Sequence, residues 1–297
     1  MPHARRRTAV QGRWIVVSLL VIDGLIGCTT PEVPPIRFAP YGSGYASKPD
    51  FDDVEYRFPL SPADRLQITP ETLADLDQEQ LDQVYARLTA GAMPDGEFEG
   101  KVLVPRGTAG DERLARLAGP FGATALELKG LALTDVTQIL WRGKVFDREH
   151  RVLRNRIDDP ALLRKLAPTG AQAKPVSIHG QTSGLLFPAK VYCGQSLLDA
   201  RRESIIADYA FADDVADYQE WPDYLVGRRG LNLREEMRMV RPGFYLGRAY
   251  ADRVFVLNFA LYDKRAARGY GERIAADAAG EEACWAGTQQ RRAALLR

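Results

Sequence analysis

The chain is short of the residues on which enzyme and metal chemistry most often depend. Its 297 residues hold three histidines and three cysteines. His3 falls in the arginine-rich N-terminus, and neither His150 nor His179 stands in a metal-ligand spacing. No glycine-rich phosphate loop occurs. "HGQTSG", residues 179–184, places Ser183 in G-x-x-S-G and not in the G-x-S-x-G nucleophile elbow, so it reads as a turn or strand edge. The acidic run "ADDVADYQEWPDY", residues 212–224, lacks the spacing and the glycine of a calcium loop and reads as a solvated loop capped by Trp221. No catalytic residue, metal or cofactor is therefore assigned.

Long apolar runs are missing too. The longest near the N-terminus, Trp14 to Ile22, is nine residues. As a helix it would rise about 14 Å, roughly half of a ~30 Å hydrocarbon core, so it does not suit a permanent span. Arg5, Arg6, Arg7 and Arg13 precede it, which is the charged and apolar pattern of a secretory signal. Leu25-Ile26-Gly27-Cys28 then resembles the bacterial lipobox, in which the cysteine is acylated and becomes the first residue after cleavage. The alternative is an ordinary signal or a single anchor. On the lipobox reading, residues 1–27 are the signal peptide and 28–66 are lipidated Cys28 with a flexible tether, rich in Pro, Gly and Ser in "PEVPPIRFAPYGSGYASKPD". Residues 67–297 form the folded domain. Thr29 stands where an aspartate would signal inner-membrane retention, so the resemblance implies the outer membrane, periplasmic face.

Excess charge of one sign is absent as well. Without residues 1–27 the chain carries 36 basic and 38 acidic side chains, a net charge of −2. A nucleic-acid partner would call for a strongly basic face, and none is indicated. With Cys28 acylated, Cys193 and Cys284 remain as a pair in an oxidising compartment. They read either as a disulfide or as two separate buried thiols, because sequence gives no distance between them.

What is present is strand pattern. Thr69 can cap a helix, Pro70 suits its first position and Gly91 can end it, with Leu73, Leu76, Leu81, Val84, Tyr85 and Leu88 as an apolar stripe. "MPDGEFEGKVLVP" alternates as a strand, Phe98, Val102 and Val104 opposing Glu97, Glu99 and Lys101. Residues 109–140 suggest helical insertions. Then follow "WRGKVF", "GLLFPAKVYC", "SIIADYAF", "LREEMRMV", "GFYLGRAY" and "RVFVLNFALY", the last three joined by connections short enough for an antiparallel meander. Successive antiparallel strands with few helices between them favour a sandwich or barrel. The alanine-, glutamate- and arginine-rich tail from Lys264 reads as helical.

These motifs resemble the uncharacterised bacterial GXWXG-domain proteins with their C-terminal domain of unknown function. Gly96-Glu97-Phe98-Glu99-Gly100 is similar to the GXWXG segment with phenylalanine for tryptophan, and Trp141-Arg142-Gly143-Lys144-Val145-Phe146 to its W-x-G-K-x-F. "GLLFPAKVYCGQ…SIIADY…MRMVRPGFYLGRAY" resembles the final strands, so the likeness spans roughly residues 93–262. It implies a mainly β (α+β) fold: an antiparallel, lipocalin-like β-barrel with an N-terminal helix and a helical C-terminal tail. In lipocalins an aromatic residue at the barrel floor lies under a basic side chain. Phe98 under Arg248 or Arg253 is the matching expectation here.

Such a barrel encloses space for one small ligand. Phe98, Phe146, Phe187, Tyr209, Met237, Met239, Phe255 and Phe259 are the candidate ligand-binding residues, against the plain reading that they fill a closed core. Alternation sets Arg234, Glu236 and Arg238 opposite Met237, which predicts solvent-facing ion pairs if the methionines point inward. The functional expectation is an envelope lipoprotein, membrane-bound through Cys28, that holds a lipid or small apolar molecule without transforming it. Alternatives are a structural or assembly lipoprotein with a filled barrel, and an enzyme on lipid-like substrates with no nameable catalytic group.

Overall fold

The computed structural model describes residues 36–42, 48–104, 141–157, 174–178, 181–263 and 282–287. Cys28, the signal segment, the insertions expected at 109–140, His179 and most of the C-terminal tail lie outside them.

Four short helices come first: α1 Phe51–Arg57, α2 Pro62–Gln67, α3 Pro70–Asp75 and α4 Gln78–Ala86. Thr69 and Pro70 begin α3 as expected. The single helix expected to run on to Gly91 is instead two, because Asp77 and Gln80 form a second capping box that restarts the chain after Leu76. Residues 50–66, expected to belong to a flexible tether, instead carry the first two helices. Asp50 caps α1, Ser61 and Asp64 cap α2, and Val54 is fully buried. Farther upstream, Ala39 exchanges two hydrogen bonds with the Gln83 side chain, at 2.9 and 3.0 Å. Those bonds hold a proline-rich segment whose composition gives it no internal reason to order.

The strands are β1 Gly96–Leu103, β2 Trp141–Asp147, β3 Val152–Ile157, β4 Lys174–Ile178, β5 Gln181–Gln195, β6 Glu203–Asp208, β7 Leu233–Arg241, β8 Phe244–Ala251 and β9 Val254–Tyr262. All the pairings are antiparallel. The order β3-β2-β1-β9-β8-β7-β6-β5 returns on itself through β5 and β3, so eight strands form a closed up-and-down barrel. β4 lies outside the ring, paired with the first part of β5. The expected meander is present in β7, β8 and β9, and the barrel closes where Glu99 meets Tyr262 and Leu103 meets Asn258. Closure removes the free edges that the strand sequences would otherwise expose.

The two faces of the wall have different cores. Inside, Phe98, Phe146, Leu153, Val191, Ile205, Met237, Tyr245, Leu257 and Phe259 belong to one apolar cluster. Outside, Leu73, Leu81, Val84, Tyr85 and Leu88 pack with Val240, Phe244, Leu246 and Ala260, which joins the helices to the outer surface of β7, β8 and β9. At the end of the barrel where β1 begins, residues 89–93 cross the opening. Thr89 bridges to Met239, the Tyr245 hydroxyl donates to Ala92 O at 2.7 Å, and Ala90 and Met93 are buried in the interior cluster. Gly91 thus serves this crossing and not a helix terminus.

This arrangement corrects the expected position of the β7 charges. Met237 and Met239 do point inward, and Arg238 and Glu236 do point outward, but both charges are fully buried. The outward face of the strand is covered by helices and by the β5–β6 turn, not by water. Glu236 accepts from Ser196 Oγ at 2.7 Å and from Leu197 N at 2.8 Å. A parallel seam links Arg248 on β8 to Asp82 on α4, with Asn258 donating to Gln78 at 2.7 Å and Lys48 reaching Asp82 at 2.8 Å.

Candidate functional site in the barrel interior

Among the described residues, the interior has one polar centre. Lys144 on β2 points inward and is fully buried. Its ammonium donates to Asn155 Oδ1 on β3 at 2.7 Å, to the Tyr209 hydroxyl at the end of β6 at 2.9 Å, and to Glu235 on β7 at 2.8 Å. An ammonium has three donors, and each has an acceptor. Asn155 Nδ2 donates onward to Tyr209 Oη at 2.9 Å and to Phe187 O at 3.1 Å, and Trp141 Nε1 donates to Asn155 Oδ1 at 2.9 Å. Aromatic faces enclose the charge: Nζ lies 5.3 Å from the Trp141 ring, 5.4 Å from Phe259 and 5.7 Å from Tyr209.

A bulge makes this geometry available. Trp141 and Lys144 are three residues apart, so a regular strand would turn them to opposite faces. The β2–β3 register shifts between Trp141 and Gly143, which lets both reach the interior. Gly143 sits at φ +137°, where a Cβ would lie 2.0 Å from Phe98 O, so no other residue fits. Gly100 clears the space beside it, since a Cβ there would lie 2.4 Å from Trp141 Cη2. The W-x-G-K spacing and the second glycine of G-x-F-x-G are thus two halves of one packing arrangement.

Burial and neighbours set the electrostatics. Removal from water pushes the Lys144 pKa down, and the Glu235 carboxylate pulls it partly back. Burial, with Glu235 second, holds the Tyr209 hydroxyl well above the ordinary phenol range. Tyr209 therefore stays protonated and acts as donor to Glu235 and acceptor from Lys144. Glu235 is the least enclosed member, its side chain 11% exposed.

The structure brings seven of the eight candidate residues together and separates one, Phe255. Phe98, Phe146, Tyr209, Met237, Met239 and Phe259 are in the interior cluster. Phe187 is partly buried against it, with left-handed backbone at φ 52° held by a hydrogen bond from its N–H to Asp223 Oδ1 at 2.8 Å. Asp223 is buried too, and desolvation raises its pKa, so this part of the acidic run is not the solvated loop expected. Phe255 is outside the barrel, its ring 4.5 Å from the Arg248 guanidinium. The register explains this: Phe255 pairs with outward-facing Tyr250, and a bulge next to it re-aims the following residues. The expected arginine over Phe98 is also corrected. Arg248 stacks on outer-face rings, Arg253 is exposed in the β8–β9 turn, and Phe98 instead makes edge contacts with Phe146 and Tyr245 at 5.5 and 5.7 Å.

Lys144, Asn155 and Glu235 were not among the candidates from sequence. Glu235 had a signal, being two residues before Met237 on the same face. Lys144 had the same signal, being two residues before Phe146 on the same face; what the bulge adds is Trp141, which alternation alone would turn away from them. Of the other groups weighed, His150 is exposed on the β2–β3 turn and bonded to Asp147 Oδ2 at 2.7 Å, and Ser183 is buried within β5. Cys193 and Cys284 form a disulfide, with Cα atoms 5.4 Å apart, which ties β5 to segment 282–287 across 91 residues of sequence.

The fold and site define a class: a closed eight-stranded antiparallel barrel with a buried lysine–glutamate pair in its interior. No family model matches the chain, and no curated protein matches it. A crystal structure of a protein from Thermomonospora curvata is similar over 68% of this chain and 99% of its own, at 16% identity and a TM-score of 0.34, a likeness too distant to carry a conclusion.

Proposed function

We propose that the protein is an envelope lipoprotein, anchored through Cys28, that holds a small, mostly apolar molecule at one end of its barrel and does not transform it. The observation that carries this reading is the Lys144–Glu235 pair inside the barrel. A buried ion pair rarely stabilises a core better than apolar side chains of the same volume, so its presence points to a use. It lies toward the end where β6 passes into β7, the end opposite residues 89–93. An apolar ligand body would pack on Trp141, Phe187 and Phe259 there, with a polar group directed to the exposed edge of Glu235. The anchor and the outer-membrane location rest on the resemblance of residues 25–29 to lipoprotein signals, and the GXWXG-family likeness on the motifs at 96–100 and 141–146.

A second reading is favoured by a different observation. The half of the interior next to residues 89–93 is filled by the edge-packed rings of Phe98, Phe146 and Tyr245 with Met237 and Met239. A barrel filled throughout in this way would be an assembly lipoprotein acting through protein contacts.

Native mass spectrometry of a Cys28→Ser variant, which carries no acyl chains, separates the two, together with titration by fluorescent fatty-acid probes. The ligand reading expects a co-purified small molecule, probe binding, and weakening of both in Lys144→Met. Absence of co-purified molecule and of probe binding in repeated preparations selects the filled barrel.

A further inference from the structure

A second cluster lies away from Lys144, at the end of the barrel that residues 89–93 cross. Cys193 near the end of β5, Glu203 at the start of β6 and Cys284 in segment 282–287 bring two sulfur atoms and a carboxylate oxygen within 4.8 Å of one another. The disulfide uses both sulfurs, but it is not alone in holding the three residues together. Glu203 N donates to Trp285 O at 3.1 Å, Trp285 N donates to Glu203 Oε2 at 3.0 Å, and Ala283 N donates to Gly91 O at 2.9 Å. Gly91 N in turn donates to both carboxylate oxygens of Glu282 at 3.1 Å. Two backbone pairs and two backbone-to-carboxylate contacts thus clasp segment 282–287 to the barrel rim independently of the S–S bond.

We propose that reduction converts the Cys193–Cys284 disulfide and Glu203 into a three-ligand site for a thiophilic divalent cation of the zinc class. Two thiolates and one carboxylate are a ligand set that zinc accepts, with sulfur at about 2.3 Å and oxygen at about 2.0–2.2 Å, and the fourth position falls to water. Tetrahedral geometry then requires ligand atoms somewhat under 4 Å apart, and side-chain rotation supplies this from the present positions. The Trp285 N–H already orients the carboxylate, as an outer partner of a metal ligand does. The redox step balances with a phosphine as reductant. It gives two electrons to the disulfide and takes oxygen from water to become the phosphine oxide, and the two water protons pass to the sulfurs. The metal then displaces both thiol protons to solvent. The clasp over this end of the barrel is covalent when oxidised and metal-bridged when reduced.

The test uses the full-length protein in detergent under anaerobic conditions, oxidised or reduced with a phosphine. Zinc is titrated against a chromophoric chelator, and cobalt(II) is titrated with the thiolate-to-cobalt charge-transfer band as readout. Reduced protein is expected to take one equivalent, with that band, at least about 100-fold more tightly than oxidised protein. Glu203→Gln keeps the disulfide, so circular dichroism of its oxidised form verifies the fold. On reduction it should keep the band and bind about 10-fold or more weakly. Cys193→Ser and Cys284→Ser should lose the band. The proposal is overturned by equal affinity in the two redox states, by undiminished affinity in Glu203→Gln, or by loss of the fold on reduction with zinc present.

Discussion

Arg238 Nη1 lies 3.0 Å from Asp199 Oδ2, with both side chains excluded from water on the outside of the barrel wall. The guanidinium also donates to Ser204 Oγ, Tyr85 O, Asp199 O and Arg202 O, so all five of its N–H groups are used. Its plane lies over the Tyr85 ring at 4.7 Å. One planar fork thus ties β7 to α4 and to the β5–β6 turn. A lysine cannot reproduce five fixed donors. Arg238→Lys is expected to lower stability by about 2–4 kcal/mol, mainly through the buried acceptors it strands. Urea unfolding should show a lower midpoint with an unchanged slope.

Acid should attack the same contact. Burial alone would raise the Asp199 pKa, but bonds from Arg201 and Arg238 outweigh it and leave the carboxyl below its usual value. A carboxyl with a depressed folded-state pKa contributes stability above its unfolded value, about 4, and that contribution is lost as pH falls through the folded value. Asp223 works in the opposite sense, because its pKa is raised and protonation relieves its burial. The expected outcome is an unfolding midpoint that declines below about pH 4, less steeply in Asp199→Asn, whereas Asp223→Asn differs from the wild type above about pH 4, where protonation of Asp223 adds stability on acidification that the variant lacks. A thermal-melt series from neutral pH to well below about pH 4 checks both windows.

Inside the barrel, Lys144 and Glu235 should behave as a unit. Lys144→Met leaves the Glu235 carboxylate without its cation and is expected to cost about 3–5 kcal/mol. Adding Glu235→Gln to it should recover a large part of that loss, because the uncompensated charge is gone. A double-mutant cycle by denaturant unfolding measures the coupling. Additive losses would contradict the contact at 2.8 Å.

Gly143→Ala tests the bulge. The added methyl meets Phe98 O, and the positive φ penalises any side chain. The variant should be destabilised by about 2–4 kcal/mol and should change Trp141 fluorescence, since the indole loses its seat over Gly100. Unchanged fluorescence together with wild-type stability would show that the glycine is dispensable.

Much of the fold was written in local pattern. Alternation in residues 233–262 and their two short connections determined the meander, because a strand's period puts neighbouring residues on opposite faces wherever the strand ends up. The same rule set Met237 and Arg238 on opposite faces, and the closed barrel decided that Met237 is the one inside. Thr69-Pro70 likewise determined a helix start through capping, a contact within one turn of chain. The tertiary structure decided what covered each face. Alternation carries no information about a helix 150 residues away, so Arg238 reads from sequence as a surface charge although α4 covers it, and the expectation of Arg248 over Phe98 could not include its partner Asp82 on the outside of the wall. It also decided the bulges. One unpaired residue between Trp141 and Gly143 brought Trp141 to the same face as Lys144, and another beside Phe255 left that ring outside, because register depends on the partner strand and not on the strand's own sequence.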